Sequence, residues 1–223
     1  MGNLMYGVSR PASGRLAHAK SSTGQGVTMS LVDAKTAGSP RRASLLQAAA
    51  DLFAARGYHT VSIDEIGQAV GISGPGVYRH FASKSDLLLT ICDVAMDHLI
   101  DGGRAIAADA DAPGRRLERL LDFHIDFAIR EYTVLSVYLR EQHALSARDL
   151  RALRRRQRDY EGLWCDVLGV EAGLTDGEIR AAVKLLLSML NGTAHVRDSV
   201  SRVRLAATLS RMARGAVAGA VRG

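Results

Sequence analysis

The sequence predicts an all-α protein on three observations. From residue 40 onward apolar residues recur at three- and four-residue steps, the period of helices with one buried face. Those runs are bounded by residue types that cap helices, such as Ser62 at a start and Gly57 or Gly71 at an end. Between Ser62 and Lys84, two short helical patterns meet at a tight glycine turn, which is the spacing of a helix-turn-helix. The expected organisation is an N-terminal extension over residues 1–39, a helix-turn-helix domain over 40–86, and a larger helical domain over 87–223.

A chain of 223 residues, 47% apolar, is long enough to bury a substantial core. Its net charge of +6 calls for an anionic partner, nucleic acid or a membrane surface, without choosing between them. Cys92 and Cys165 stand far apart and outside any Cys/His cluster, which argues against a disulfide framework or a zinc site. No apolar run approaches the roughly 20 residues that span a bilayer, and no signal peptide is visible, so the expected location is the cytoplasm with no membrane partner. Residues 1–39 are rich in Gly, Ser, Ala and Thr and carry Arg10, Arg15, Lys20 and Lys35 against Asp33. That stretch reads as disordered and basic, either a solvated leader or an arm along DNA phosphates.

The elements follow in order. Leu45, Ala48, Ala49, Leu52 and Phe53 mark a supporting helix closed by Gly57. Arg41 and Arg42 at its start oppose the helix dipole, a cost that phosphate contact would offset. Ser62 caps the next helix, whose stripe is Ile63, Ile66, Ala69 and Val70, and Gly71 supplies the positive φ that ends it. Ser73 or Gly74 caps the second helix, with Pro75 tolerated at its start. Val77 and Phe81 point inward, leaving Tyr78, Arg79 and His80 outside. In a helix-turn-helix this second helix enters the DNA major groove.

Thr60 lies close enough to the first helix start to donate to a phosphate. The head of the second helix, Gly74-Pro75-Gly76, has no side-chain donor, so backbone amides near Gly74 and Gly76 are expected to take a phosphate. Direct reading of bases then falls to Tyr78 and Arg79, with Arg79 suited to bidentate contact with guanine or to phosphate alone. Ser85 is expected to cap a longer helix through about Ile100. Residues 101–113, with Gly102 and Gly103, read as a frayed helix end and a loop.

Beyond that loop, helical stripes run over about 115–130, over TVLSVYLREQHAL, and over 149–168. The last carries Arg151, Arg154, Arg155, Arg156 and Arg158, a solvated face or a binder of an acidic ligand tail. Two final helices are expected over 176 to about 196 and 201 to about 217. Their seams, Ile179, Ala182, Val183, Leu186 and Leu190 on one and Leu205, Leu209, Met212 and Ala216 on the other, suit a four-helix bundle shared by two subunits of a homodimer.

The run LLQAAADLFAARGYHTVSIDEIGQAVGISGPGVYRHFASKSDLL strongly resembles the DNA-binding domain of the TetR (tetracycline repressor-like) family. The resemblance implies that Thr60 and Ser62 contact phosphate, that the helix from Gly74 to His80 reads bases, and that Lys84 anchors the backbone. It implies a homodimer on a double-stranded, palindromic operator, with recognition helices about 34 Å apart. It also implies a cavity for a small-molecule effector among the middle helices, for which Phe123, Phe127, Tyr138 and Trp164 are the aromatic candidates. The C-terminal half resembles a branch that senses acyl-CoA thioesters, through Tyr138-x-x-Glu141, the segment QRDYEGLWCDVL and MLNGT at 189–193. That resemblance adds Glu141 and Asn191 to the candidates, with Arg155 or Arg158 meeting the CoA phosphates. Gly192 departs from the bulky aromatic such relatives often carry after the Asn.

Enzymatic signals are scarce: no phosphate-binding glycine loop, G-x-S-x-G or H-E-x-x-H occurs, and the 7 histidines do not pair at metal spacing. His124 reads as a core histidine. No catalytic residue, metal or cofactor is expected. The resulting expectation is a repressor released by a small hydrophobic or acyl-CoA-type inducer, with an inducer-free architectural DNA-binding protein as the alternative.

Overall fold

The computed structural model describes residues 39–170, 173–196 and 200–222, and all regular structure among them is helical. The N-terminal extension, up to residue 38, lies outside the described residues. Helix α1, Pro40–Arg56, starts where the Ser39 hydroxyl accepts the Arg42 amide and ends at Gly57, whose φ of 84° reverses the chain. It buries Leu45, Leu46, Ala49, Ala50 and Phe53.

Helix α2, Ile63–Ala69, is fixed by a reciprocal cap: the Ser62 hydroxyl takes the Glu65 amide while the Glu65 carboxylate takes the Ser62 amide. Gly71, with φ of 74°, turns the chain toward α3, Gly74–Val77. The Ile72 amide bonds back to the Gly67 carbonyl at 2.9 Å, which draws the turn onto α2.

Helix α4, Lys84–Ala107, differs from its expected bounds at both ends. Ser83, not Ser85, is the cap: its hydroxyl accepts the Asp86 amide at 3.0 Å, and Asp86 in turn accepts the Ala82 amide at 2.9 Å. This pairing makes Lys84 the first helical residue. At the far end α4 continues through Gly102 and Gly103 rather than fraying. These glycines serve close packing: a β-carbon at 102 would lie 2.2 Å from Cζ of Phe123, and one at 103 would lie 3.1 Å from the Tyr160 ring.

Six further helices and a 3-10 turn complete the described chain: α5, Pro113–Arg130; α6, Tyr132–Glu141; the turn Gln142–Ala144; α7, Ala147–Gly169; α8, Asp176–Asn191; α9, Thr193–Val196; and α10, Arg202–Arg222. The single helix expected over 176–196 is two, because α8 stops at Asn191 and the Gly192 amide turns back to the Met189 carbonyl. Helix α4 is the axis, touching α1, α5, α6 and α7, while α10 lies across α5 and α8. Its face toward α7 is held electrostatically as well, since Arg156 pairs with Asp93 at 2.8 Å and with Asp97.

On α10 the buried positions are Leu209 and Ala213. Met212 and Ala216, expected in the seam, are exposed, as is Leu185 of α8 at 73%. One protomer therefore leaves an apolar strip on its last two long helices uncovered.

Candidate nucleic-acid interface and effector cavity

Val77 and Phe81 seat the recognition segment, both essentially inaccessible, and Tyr78 stands 56% exposed with Arg79 exposed beside it. Arg79 enters no ion pair among the described residues. His80 is half-buried. Gly74 is buried beneath Asp64, and a β-carbon on it would fall 1.8 Å from Oδ1 of that residue. The side-chain-free head of α3 thus lets Asp64 fold over the helix start. Thr60, Ser62 and Ser73 are exposed, but the Ser62 hydroxyl already donates to Glu65 at 2.9 Å. Hydrogen bonds from the Ser62 amide, then from Arg56, hold the Glu65 carboxyl down to about 2.

The other basic candidates are internally engaged. Arg41 donates to the Val70 carbonyl at 2.8 Å; Arg42 donates to the His80 carbonyl and lies 4.0 Å over the Phe81 ring. Lys84 donates to the carbonyls of Tyr58 and Val61, each at 2.9 Å, and sits 4.4 Å from the Tyr58 ring. These cations brace the reading segment from behind, closing backbone carbonyls that its short helices leave unpaired.

Glu141 is placed elsewhere than among effector-binding groups. Its carboxylate accepts the Tyr58 amide at 3.2 Å, and the neighbouring Arg140 donates to the Ala54 carbonyl. The end of α6 is thereby clasped to the end of α1.

A cavity of about 310 Å³ opens among α4 to α8. Phe127, Tyr138 and Asn191, three of the candidates for effector contact, line it against apolar walls that include Met96, Leu99, Leu135 and Leu187. Phe123 instead packs against Gly102 and His98, 5.0 Å between ring centroids. Trp164 is fully buried behind His124 and Tyr160, at 5.9 and 6.3 Å. Arg155 and Arg158 are exposed on α7 and line no wall, although Arg158 stands one turn before the lining residue Glu161.

Sequence reasoning missed the cavity's polar members: His124, Gln157, Tyr160, Glu161, Lys184 and Ser188. A signal was present, since Lys184, Ser188 and Asn191 follow at steps of four and three along α8, a polar stripe beside an apolar seam. His124 is buried, with Nδ1 at 3.0 Å from the Tyr160 hydroxyl and Nε2 at 3.1 Å from Oδ1 of Asn191. Burial pushes its imidazole down to about 4, so it is neutral at physiological pH. Burial likewise pushes the Cys92 thiol up to about 12, which leaves it protonated and inert. Among the described residues no group of three or more His, Cys, Asp or Glu is placed to hold a metal, and no helix is long and apolar enough to cross a membrane.

With this geometry in hand, comparison with known proteins is specific. Residues 45–91 match the family described as bacterial regulatory proteins, tetR family, and residues 110–195 match the tetracyclin repressor-like C-terminal domain. The repressor KstR2 of Rhodococcus jostii is 31% identical over 161 residues, covering 71% of this chain and 78% of that protein. The activator FasR of Mycolicibacterium smegmatis is 37% identical over 87 residues, 39% of this chain and 40% of FasR. The crystal structure of AibR in complex with isovaleryl coenzyme A and operator DNA has the same fold, with a TM-score of 0.65 at 20% identity over 77% of this chain and 97% of AibR.

Proposed function

The chain belongs to the TetR family of transcriptional regulators, and on that premise we propose that it is a cytoplasmic repressor, without enzymatic activity, released from a palindromic operator by an acyl-type effector. The reading domain spans 40–86, with Tyr78 and Arg79 meeting base edges and Thr60, Ser62 and the amides near Gly74 meeting phosphates. The effector and dimerisation domain spans 87–223.

The observation that carries this reading is the clasp between cavity and reading domain. Helix α6 lines the cavity with Leu135 and Tyr138, and three residues later Glu141 holds the Tyr58 amide. Tyr58 in turn supplies a carbonyl to Lys84, the first residue of α4. A ligand that favours one setting of α6 therefore also favours one setting of the reading helices, which is the differential affinity that release requires. The acyl-type effector is supported by AibR, which has this fold and is seen in complex with isovaleryl coenzyme A and operator DNA. The cavity, with room for roughly ten waters' worth of ligand, takes the acyl part, and the CoA moiety lies outside near Arg158.

Fluorescence anisotropy of the DNA upstream of its own gene, titrated with the protein, tests this. Nanomolar binding that is lost on saturation with octanoyl-CoA is expected. Retention of that DNA at saturating effector, across straight- and branched-chain acyl-CoAs, overturns release by this class.

A further inference from the structure

The polar floor of the cavity has a direction. We infer that Asn191 presents its amide N–H groups to the ligand, so that the cavity selects an apolar molecule carrying a carbonyl or carboxylate oxygen and rejects one carrying only donors. The inference deepens the effector reading above and rests on it.

Hydrogen-bond polarity sets that direction. Oδ1 of Asn191, which can only accept, lies 3.1 Å from Nε2 of His124. Nε2 of the neutral imidazole therefore carries the ring proton and donates it, and the bare Nδ1 accepts the Tyr160 hydroxyl proton at 3.0 Å. With Oδ1 turned to His124, the Nδ2 amide is left to the cavity that Asn191 lines. The order of donation is Tyr160, His124, Asn191, ligand, each giving a hydrogen to the next.

The same side of the cavity continues with donors. Ser188 and Lys184 follow Asn191 along one face of α8, and Lys184 enters no ion pair among the described residues. A carboxylate or thioester carbonyl at this wall meets an amide at depth and a hydroxyl and an ammonium toward the mouth. An alkylammonium at this wall meets the same amide and ammonium donors, and the carboxylate that lines the cavity, Glu161, belongs to α7 and not to α8.

Isothermal titration of the full-length protein with octanoate, octanoyl-CoA, 2-octanone and octylammonium tests this. The three acceptor-bearing probes bind, and octylammonium binds at least about tenfold more weakly, the fold-change that one missing hydrogen bond brings. Tighter binding of octanoyl-CoA assigns the carbonyl to a thioester and tighter binding of octanoate assigns it to a free acid; either supports the inference. Asn191→Asp keeps an oxygen for His124 but turns an acceptor toward the ligand, so it weakens 2-octanone about tenfold. Lys184→Gln weakens octanoate and spares 2-octanone. Octylammonium binding as tightly as octanoate leaves the cavity reading standing and overturns the polarity, as does full 2-octanone affinity in Asn191→Asp. Absence of binding by all four probes overturns the cavity reading and this inference with it.

Discussion

At the scale of single residues, His124 sets a pH limit. Its folded-state value, about 4, lies below the ordinary histidine value of 6.5 because burial disfavours the cation. Between those values the unfolded chain binds a proton that the folded chain refuses, so stability rises with pH in that window. The contribution is fully present above about 6.5 and is lost as pH falls toward about 4, on the order of 3 kcal/mol in total. Urea unfolding followed across this range shows a falling midpoint in the wild type, and His124→Gln flattens that fall. An equally steep fall in the variant excludes His124 as its source. Glu65 acts in a separate window: its depressed value gives stability above 4.5 that is lost as pH drops toward about 2.

At the scale of elements, α4 depends on glycines inside it. Gly102 costs helix propensity, yet Phe123 of α5 occupies the space where its side chain would be. Gly102→Ala therefore destabilises by about 1–3 kcal/mol, the overpacking cost net of the better helix former. Adding Phe123→Leu recovers most of the loss, and chemical denaturation of the four proteins of this cycle reads the coupling. Strict additivity would show that the two residues do not share the space.

The same helix marks where sequence reading stopped. Caps and periodicity made α1 to α3 legible because they are local, as in Ser62 with Glu65 and the positive φ at Gly71. Gly102 and Gly103 look like a helix end in isolation; only the approach of Phe123 and Tyr160 from distant segments explains them. In the cavity, Phe127, Tyr138 and Asn191 were legible as residue types suited to lining. His124 was legible as buried, but its partners Tyr160 and Asn191 come from helices 36 and 67 residues away in the chain, beyond any local pattern. Glu141, Arg41, Arg42 and Lys84 show the converse: a charged side chain read as a ligand or DNA contact spends itself on a backbone group that only the fold brings near.

At the scale of the whole molecule, the uncovered strip on α8 and α10 is apolar surface suited to closure by a second subunit. Leu185 and Met212, 73% and 56% exposed, are large apolar side chains facing water in one protomer. Leu185→Glu with Met212→Glu places like charges opposite each other across a two-fold axis and yields monomers in sedimentation velocity. Operator affinity then falls by at least about a hundredfold, because one half-site supplies all remaining contacts. A dimer of unchanged stability in that variant moves the interface elsewhere.

The strip also governs dose. A protomer with that much apolar surface exposed is the minor species wherever its partner is abundant, and pairing is a mass-action step. Well below the dissociation constant of the pair the pool is mostly monomer, and the dimer grows with the square of the total. A regulator built in this way responds to its own abundance more steeply than in proportion: twofold dilution of a mostly monomeric pool removes about three-quarters of its dimers.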